Sequence, residues 1–245
     1  MKIALYGYGK MGKAIEQAAV LRGHEVVLRV DQANAGAPPT GADVAIEFSR
    51  PASALPNMQL CLAHQVPVVV GTTGWYDQMD AVKVLVEDKN GSLLWASNFS
   101  IGVNLLFRLN DYLAKLMKGH PEYAAAIEEV HHVHKLDAPS GTAITLAHGV
   151  EANSERYRGW ALEGNDRSTP APHAAGKDAI GIKSIRSGEV PGTHTVTWTS
   201  PQDRISLTHE AFGREGFATG AVVAAEWLRS RKGLYTMADV LGPVD

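Results

Sequence analysis

The sequence predicts an α/β chain in two parts, a doubly wound parallel sheet and a second α+β domain carrying an open mixed sheet. Short apolar runs alternate with amphipathic stretches from residue 1 to about 98, the rhythm of repeated strand–helix–strand units. The first run leads into Gly7-Tyr8-Gly9-Lys10-Met11-Gly12, a glycine turn between a strand and a helix. From about residue 120 longer alternating segments replace that rhythm, which marks the second domain.

In the opening unit, Lys2 to Tyr6 is an apolar strand, and Ala14, Ile15, Ala18, Ala19 and Leu21 follow at near-helical spacing. The turn between them fits G-x-G-x-x-G. Gly7 permits the tight bend, Gly9 lets the backbone approach a pyrophosphate, and Gly12 lets helix and strand pack closely. The N–H groups at the helix start then face the phosphate charge. A second strand, His24 to Val30, ends in Asp31, where a carboxylate can hydrogen-bond a ribose 2′-hydroxyl. Asp31 favours NAD, whereas Lys10 and Arg29 are cations able to accommodate a 2′-phosphate, so NADH and NADPH both remain open.

Residues 33–41, rich in Ala, Gly and Pro, read as a loop before the strand Val44 to Phe48. Ser49 is placed to cap a helix that Pro51 opens, and Pro56 is expected to shorten or bend it. The β-branched strand Val66 to Val70 ends in Gly71-Thr72-Thr73-Gly74, and the strand Ser92 to Ala96 ends in Ser97-Asn98-Phe99-Ser100. Ligands of doubly wound sheets bind at such strand ends. With the amphipathic stretch Tyr76 to Lys89, these segments predict a Rossmann-like parallel sheet of at least five strands, followed by a helix through Met117.

In the second part, Tyr123 to Lys135 alternates as a strand and Thr142 to Asn153 has helical spacing. Glu151 to Gly181 is polar and reads as a long surface loop. Ile182 to Ile185, Thr193 to Ser200 and Arg204 to Phe212 are expected as antiparallel strands. Along Thr193 to Ser200, His194, Val196 and Trp198 alternate with threonines, giving one apolar and one threonine-rich face. Such a sheet suits a subunit contact or a covering helix equally. A helix, Phe217 to Ser230, and a short apolar end, Leu234 to Leu241, return to the first domain. The expected division is 1–99 with 213–245 as the dinucleotide-binding domain and 100–212 as the domain for substrate binding and oligomerisation.

The bulk numbers narrow the partners. A length of 245 residues allows two buried cores, and a net charge of −3 without any long Lys/Arg run argues against nucleic acid. The lone Cys61, inside Leu60-Cys61-Leu62-Ala63, reads as a small buried hydrophobe in a reducing compartment. The N-terminus lacks the order of a signal peptide, and no run reaches the roughly 18 apolar residues of a membrane span. The expectation is a soluble cytoplasmic protein with no membrane partner.

Chemistry concentrates between Glu128 and Ala143, in EEVHHVHKLDAPSGTA. In an extended segment, His131 and Lys135 share a side by period two, and in a helix they share one by spacing of four, so the pair survives either assignment. An imidazole moves protons near neutral pH, and a nearby ammonium donates one or holds a carboxylate. Pro139 keeps Ala138 out of helical conformation, after which Ser140 can cap a helix beginning at Gly141 and Thr142. The free N–H groups, the room at Gly141 and the Ser140 and Thr142 hydroxyls suit a substrate carboxylate.

Other readings of this stretch exist. Zinc on His131, His132 and His134 lacks a nearby cysteine, and Glu128, Glu129 and Asp137 read as solvated flanking charges, so no metal is expected. A serine hydrolase would need G-x-S-x-G around Ser140, and Pro-Ser-Gly is not that. Surface histidines beside a helix cap are the plainest alternative. A dinucleotide sensor without turnover would account for the glycines alone, and a related dehydrogenase of another small imine or keto acid would share both sites.

The run from Glu129 to Ala143, EVHHVHKLDAPSGTA, resembles the signature of the 4-hydroxy-tetrahydrodipicolinate reductase family, also called dihydrodipicolinate reductases, of lysine and diaminopimelate synthesis. The likeness extends through Gly71-Thr72-Thr73-Gly74, the run from Asn98 to Asn104, the run from Ile185 to Thr195, and Phe217-Ala218-Thr219-Gly220-Ala221, in the family's order across nearly the whole chain. The resemblance implies that His131 donates or accepts the catalytic proton and that Lys135 donates one. It implies that His132, Gly141 and Thr142 contact a cyclic dicarboxylate. The turn from Gly7 through Tyr8, Gly9, Lys10 and Met11 to Gly12, with Asp31, Gly71, Thr72, Thr73, Ala96, Ser97, Asn98 and Phe99, would hold NADH or NADPH. It also implies a homotetramer built through the second domain's sheet. The chain departs from the family's longer members in a shorter first domain and in having Gln32, not Arg, after Asp31. With the two sites on different domains, hinge closure near residues 100 and 212 is expected to assemble them.

Overall fold

The first apolar run folds as β1 (Lys2–Tyr6), and the glycine turn leads into α1 (Lys10–Leu21), then β2 (Glu25–Val30), β3 (Val44–Glu47), α2 (Pro51–Ala63) and β4 (Val68–Val70). A 3₁₀ turn (Tyr76–Gln78) precedes α3 (Met79–Asp88), β5 (Ser92–Trp95) and α4 (Ile101–Met117). The chain continues through β6 (Ala124–His131), α5 (Gly141–Ala152), β7 (Trp160–Glu163), β8 (Ile180–Arg186), β9 (Gly192–Thr199) and β10 (Arg204–Ala211). It closes with α6 (Glu215–Leu228), β11 (Gly233–Tyr235) and α7 (Met237–Leu241). This computed structural model describes residues 1–163 and 178–243. They form two compact units, Met1–Ile101 with Arg214–Asp245, and Gly102–Gly213.

The first unit is a six-stranded, wholly parallel sheet in the order β11-β5-β4-β3-β1-β2. Its central strands are buried on both faces and so read as continuous apolar runs. On one face Ile3, Leu5, Ile46 and Leu94 meet α1 and α6; on the other Ala4, Val68 and Leu93 meet Met58, Cys61 and Leu62 of α2 and Val82 and Val86 of α3. Cys61 is a buried free thiol, pushed up to about 12 chiefly by burial. The strand order reverses between β1 and β3, and ligands of such sheets bind outside the carboxyl ends at that point.

The expected cap of α2 and a shortening of that helix do not hold. Pro56 does not shorten α2, which runs on to Ala63. The bond lost at a proline is to the carbonyl four residues back, Ala52; both residues are exposed, so that carbonyl faces solvent while Ala54, Met58, Cys61 and Leu62 anchor the other side. Ser49 does not cap α2 either. Arg50 occupies the cap position without a side-chain cap bond, and the Ser49 hydroxyl turns back to donate to Glu47.

The second unit is a five-stranded mixed sheet in the order β10-β9-β6-β8-β7. β9 is antiparallel to β10 and β6, but β8 is parallel to both β6 and β7, not antiparallel as the sequence suggested. The helix α5 provides the long crossover a parallel arrangement needs. Of the predicted loop between Glu151 and Gly181, Trp160–Glu163 is strand β7, and residues 164–177 lie outside the described residues. Ala125, Ile127, Val196, Trp198, Ile180 and Ile182 form the buried face, packed with Leu106, Ala114 and Met117 of α4 and Leu146, Ala147 and Val150 of α5. The opposite face carries exposed Ala124, Ala126 and Glu128 beside the half-buried threonines of β9. Among the described residues no helix is long and apolar enough to cross a membrane.

Candidate active site

At the switch point of the parallel sheet the loops after β1, β2 and β3 enclose a cavity of about 370 Å³, lined among others by Gly7, Tyr8, Gly9, Asp31, Gln32, Ser49 and Arg50. The glycines divide their work as the motif requires. Gly7 sits at φ +94°, and a Cβ there would come within 2.1 Å of the Phe48 carbonyl oxygen. A Cβ on Gly12 would meet the Gly7 oxygen at 2.4 Å, whereas one on Gly9 would meet nothing within 4 Å. The turn therefore leaves open backbone at Gly9 beside the start of α1, which fits a dinucleotide's pyrophosphate. Tyr8 is held by its hydroxyl on Glu16, Asp31 Oδ1 accepts from the Ala33 N–H at 2.8 Å, and Lys10 and Met11 open α1.

The remaining cofactor candidates sit at the ends of β4 and β5. Gly71 lies under the Phe48 ring, where a Cβ would collide at 2.1 Å. Thr72 Oγ1 accepts from the Ser49 N–H at 2.7 Å, and Thr73 is exposed. Ala96 continues the ladder through its N–H to Val70 O, Ser97 is exposed, and Asn98 Oδ1 accepts from the Ser100 N–H at 2.9 Å. The Phe99 side chain belongs to the core, tilted against Phe48 at 5.5 Å.

In the second unit, β6 ends at His131, not at Lys135. The chain turns there because the Ser187 N–H donates to His131 O at 2.8 Å, the Val133 N–H to Gly188 O at 3.1 Å, and the Lys135 N–H to His132 O at 3.1 Å. The shared-face argument for His131 and Lys135 therefore does not hold. What surrounds His131 instead is a buried network. Glu129, with 0% exposure, contacts His131 Nδ1 through one carboxylate oxygen. Its other oxygen accepts from Arg186 Nη1 at 3.0 Å and from the Ser140 N–H at 3.3 Å. Burial alone would raise the Glu129 carboxyl; hydrogen bonds with His131 and Ser184 and the charges of His131 and Arg186 outweigh it and hold the group at about 2. Glu129 was expected in solvent. It is instead the buried anchor of the site.

His194 packs edge-on to His131 with ring centroids 5.0 Å apart, and its Nε2 lies 3.0 Å from Ser140 Oγ. Burial first, then the charge of His131, lowers it to about 4, so it is neutral at pH 7 and shares one hydrogen bond with the Ser140 hydroxyl. Ser140 Oγ in turn accepts from the Ala143 N–H at 3.2 Å, capping α5 as the sequence predicts. Gly192 completes the cage: a Cβ there would lie 2.9 Å from His131 Nε2. Glu129, His131 and His194 bring possible ligand atoms within 4.8 Å of one another, but Arg186 and Ser140 already engage the carboxylate, so the cluster reads as a proton network.

Beside this network a Cβ on Gly141 would meet nothing within 4 Å, leaving the helix start approachable, with Thr142 next to it. Ser140 itself is 3% exposed, its hydroxyl engaged on both sides. Lys135 Nζ pairs with Asp137 at 2.9 Å, and its charge is among those lowering His194. The His132 ring tilts against His134 at 5.9 Å, and His134 meets Glu189 at 3.0 Å, tying this loop to the turn before β9.

The network carries a pH signature. His194 is lowered from 6.5 to about 4 and Glu129 from 4.5 to about 2. In each case the unfolded chain takes up the proton first, so stability is lost as pH falls through 6.5 to 4, and again through 4.5 to 2. The urea midpoint is expected to drop across the upper window, and His194→Gln is expected to flatten that part of the curve. A His194→Gln curve identical to wild type would remove His194 from the linkage.

Imidazole and ammonium groups move protons but carry no electrons, whereas the glycine turn of the other unit has the form that fits a dinucleotide, which does carry them. That division of labour defines the nicotinamide-dependent oxidoreductases. Residues 1–99 match the family model described as dihydrodipicolinate reductase, N-terminus, and residues 102–241 match its C-terminal counterpart. The chain is 45% identical over 243 residues to the 4-hydroxy-tetrahydrodipicolinate reductase of Christiangramia forsetii, covering 98% of each. It is 38% identical over 202 residues to that of Neisseria meningitidis serogroup B, covering 82% of this chain and 73% of that protein. The fold matches that of the dipicolinate-bound dihydrodipicolinate reductase from Paenisporosarcina sp. TG-14 with a TM-score of 0.75, 23% identity and coverage of 96% and 97%. The chain belongs to the dihydrodipicolinate reductase family.

Proposed function

We propose that His131 and Lys135 serve the proton step of this reductase, with His132, Gly141 and Thr142 receiving the substrate's carboxylates at the helix start that Ser140 caps. The reaction is the NAD(P)H-dependent reduction of 4-hydroxy-tetrahydrodipicolinate to tetrahydrodipicolinate in lysine and diaminopimelate biosynthesis. The bound cofactor, NADH or NADPH, supplies a hydride to the ring. The 4-hydroxyl leaves as water, so hydride and proton together balance the step. One observation carries the residue assignment: the buried Glu129–His131–His194 network is bonded directly to Ser140, the cap of the helix start that suits a carboxylate.

Glu129 engages Nδ1, which leaves His131 Nε2 as the exchanging atom. Lys135 adds positive charge, and Gly141 leaves room for a carboxylate to approach the start of α5. In the first unit Gly7 to Gly12 and Asp31 are assigned to the dinucleotide, together with the β4 and β5 ends at Gly71–Thr73 and Ala96–Phe99. We assign 1–99 with 213–245 to the cofactor and 100–212 to the substrate, with hinge closure near 100 and 212 during turnover. The open threonine face of β9 supports assembly as a homotetramer. We place the enzyme in the cytoplasm, a reading supported by its single, buried cysteine.

Loss of reduced-nicotinamide absorbance with purified protein and the condensation product of pyruvate and aspartate semialdehyde tests the reading. Turnover with NADH or NADPH is expected. Binding of either cofactor with no turnover would favour a dinucleotide sensor instead.

A further inference from the structure

The cofactor cavity contains two groups of opposite charge where a dinucleotide's adenosine ribose belongs. Asp31 is the acidic one, suited to a 2′-hydroxyl. Gln32 follows it in sequence, a neutral side chain that offers a 2′-phosphate no guanidinium. Arg50 provides that guanidinium from the loop after β3: with its amide oxygen turned toward it, Gln32 accepts from Arg50 Nη2 at 2.9 Å and from Nη1 at 3.3 Å. Both side chains line the same cavity as Asp31.

The cations the sequence first offered for this task are otherwise placed. Arg29 donates from Nε to Glu16 at 3.0 Å, pairs with it again through Nη2, and lies 5.8 Å from the Tyr8 ring centroid. Lys10 opens α1 and is not among the cavity-lining residues. Arg50 is different because its partner at Gln32 is a neutral amide. Its full charge therefore remains to attract an anion, and an incoming phosphate displaces only one weak neutral acceptor.

We propose that Arg50 is the 2′-phosphate ligand of this pocket and sets the ratio in which the protein binds NADPH and NADH, against the Asp31 carboxylate that favours the 2′-hydroxyl. This rests on reading the cavity as the dinucleotide site.

Equilibrium titration of the full chain with NADPH and with NADH, followed by nicotinamide fluorescence, tests it, alongside calorimetry with adenosine 2′,5′-bisphosphate against adenosine 5′-monophosphate. Wild type is expected to bind the bisphosphate more tightly. Arg50→Gln is expected to weaken NADPH relative to NADH by about tenfold or more, the scale of losing a charge-assisted hydrogen bond. Equal movement of both affinities, or movement of neither, would overturn the proposal. Should Arg50→Gln fail to fold, Asp31→Asn reads the same pocket with opposite sign: NADH is expected to weaken relative to NADPH. An unchanged ratio in that variant, or a wild type with no preference for the bisphosphate, overturns the proposal as well. Failure of wild type to bind either dinucleotide is a separate result, because it removes the dinucleotide-site reading itself.

Discussion

His131→Ala is expected to lower kcat by about 10²-fold or more, and Lys135→Ala by a similar factor, while both variants keep their affinity for the cofactor. The expectation for His131 follows from how tightly its ring is held. Glu129 takes Nδ1, His194 packs against the ring, and Gly192 leaves just enough room at Nε2. A ring fixed on three sides has one nitrogen left for exchange, and removing it leaves the Gly141 helix start to bind substrate without completing the proton transfer. Lys135 reaches the site by another route, from the turn after β6, and its ammonium acts on the same cluster. Steady-state rates with cofactor affinity measured on the same samples check both. A kcat within about threefold of wild type would remove the substituted residue from catalysis.

Glu129→Ala is expected to destabilise the second unit by about 3–5 kcal/mol, the usual cost of leaving a buried charge without its partner. The Arg186 side chain, 15% exposed, would lose its carboxylate, as would the Ser140 N–H and His131 Nδ1. Glu129→Gln keeps the size and one acceptor, so about 1–3 kcal/mol is expected from it. Because the amide no longer selects the Nδ1–H form of His131, its kcat is also expected to fall, by about tenfold. Urea unfolding of the two variants separates these effects. An alanine variant as stable as wild type would mean that Glu129 does not anchor this network.

The first unit was largely legible because buried parallel strands are written as plain apolar runs and the glycine turn as a spaced motif. In the second unit, β7 escaped notice because four residues at a sheet edge, Trp160–Glu163, carry too little periodicity to separate from a polar surround. The end of β6 was misplaced for a different reason. Alternation continues through His134 in the sequence, but hydrogen bonds from Ser187 and to Gly188 turn the chain at His131, and such distant partners leave no local trace. Glu129 could have been found. It falls in period two with Ala125, Ile127 and His131, the buried side of β6, and a carboxylate on an apolar face beside a histidine signals a paired buried charge. Arg50 could not, since its place beside Gln32 depends on the packing of β3 next to β1.

The most direct test of the account follows the hydride. With the cofactor deuterated at the transferable C4 position, wild-type protein is expected to deliver deuterium to carbon of the tetrahydrodipicolinate ring, read as a heavier product by mass spectrometry, and His131→Ala to deliver it at about a hundredth of that rate or less. Cofactor that binds but keeps its label, or product that forms without it, would contradict the account.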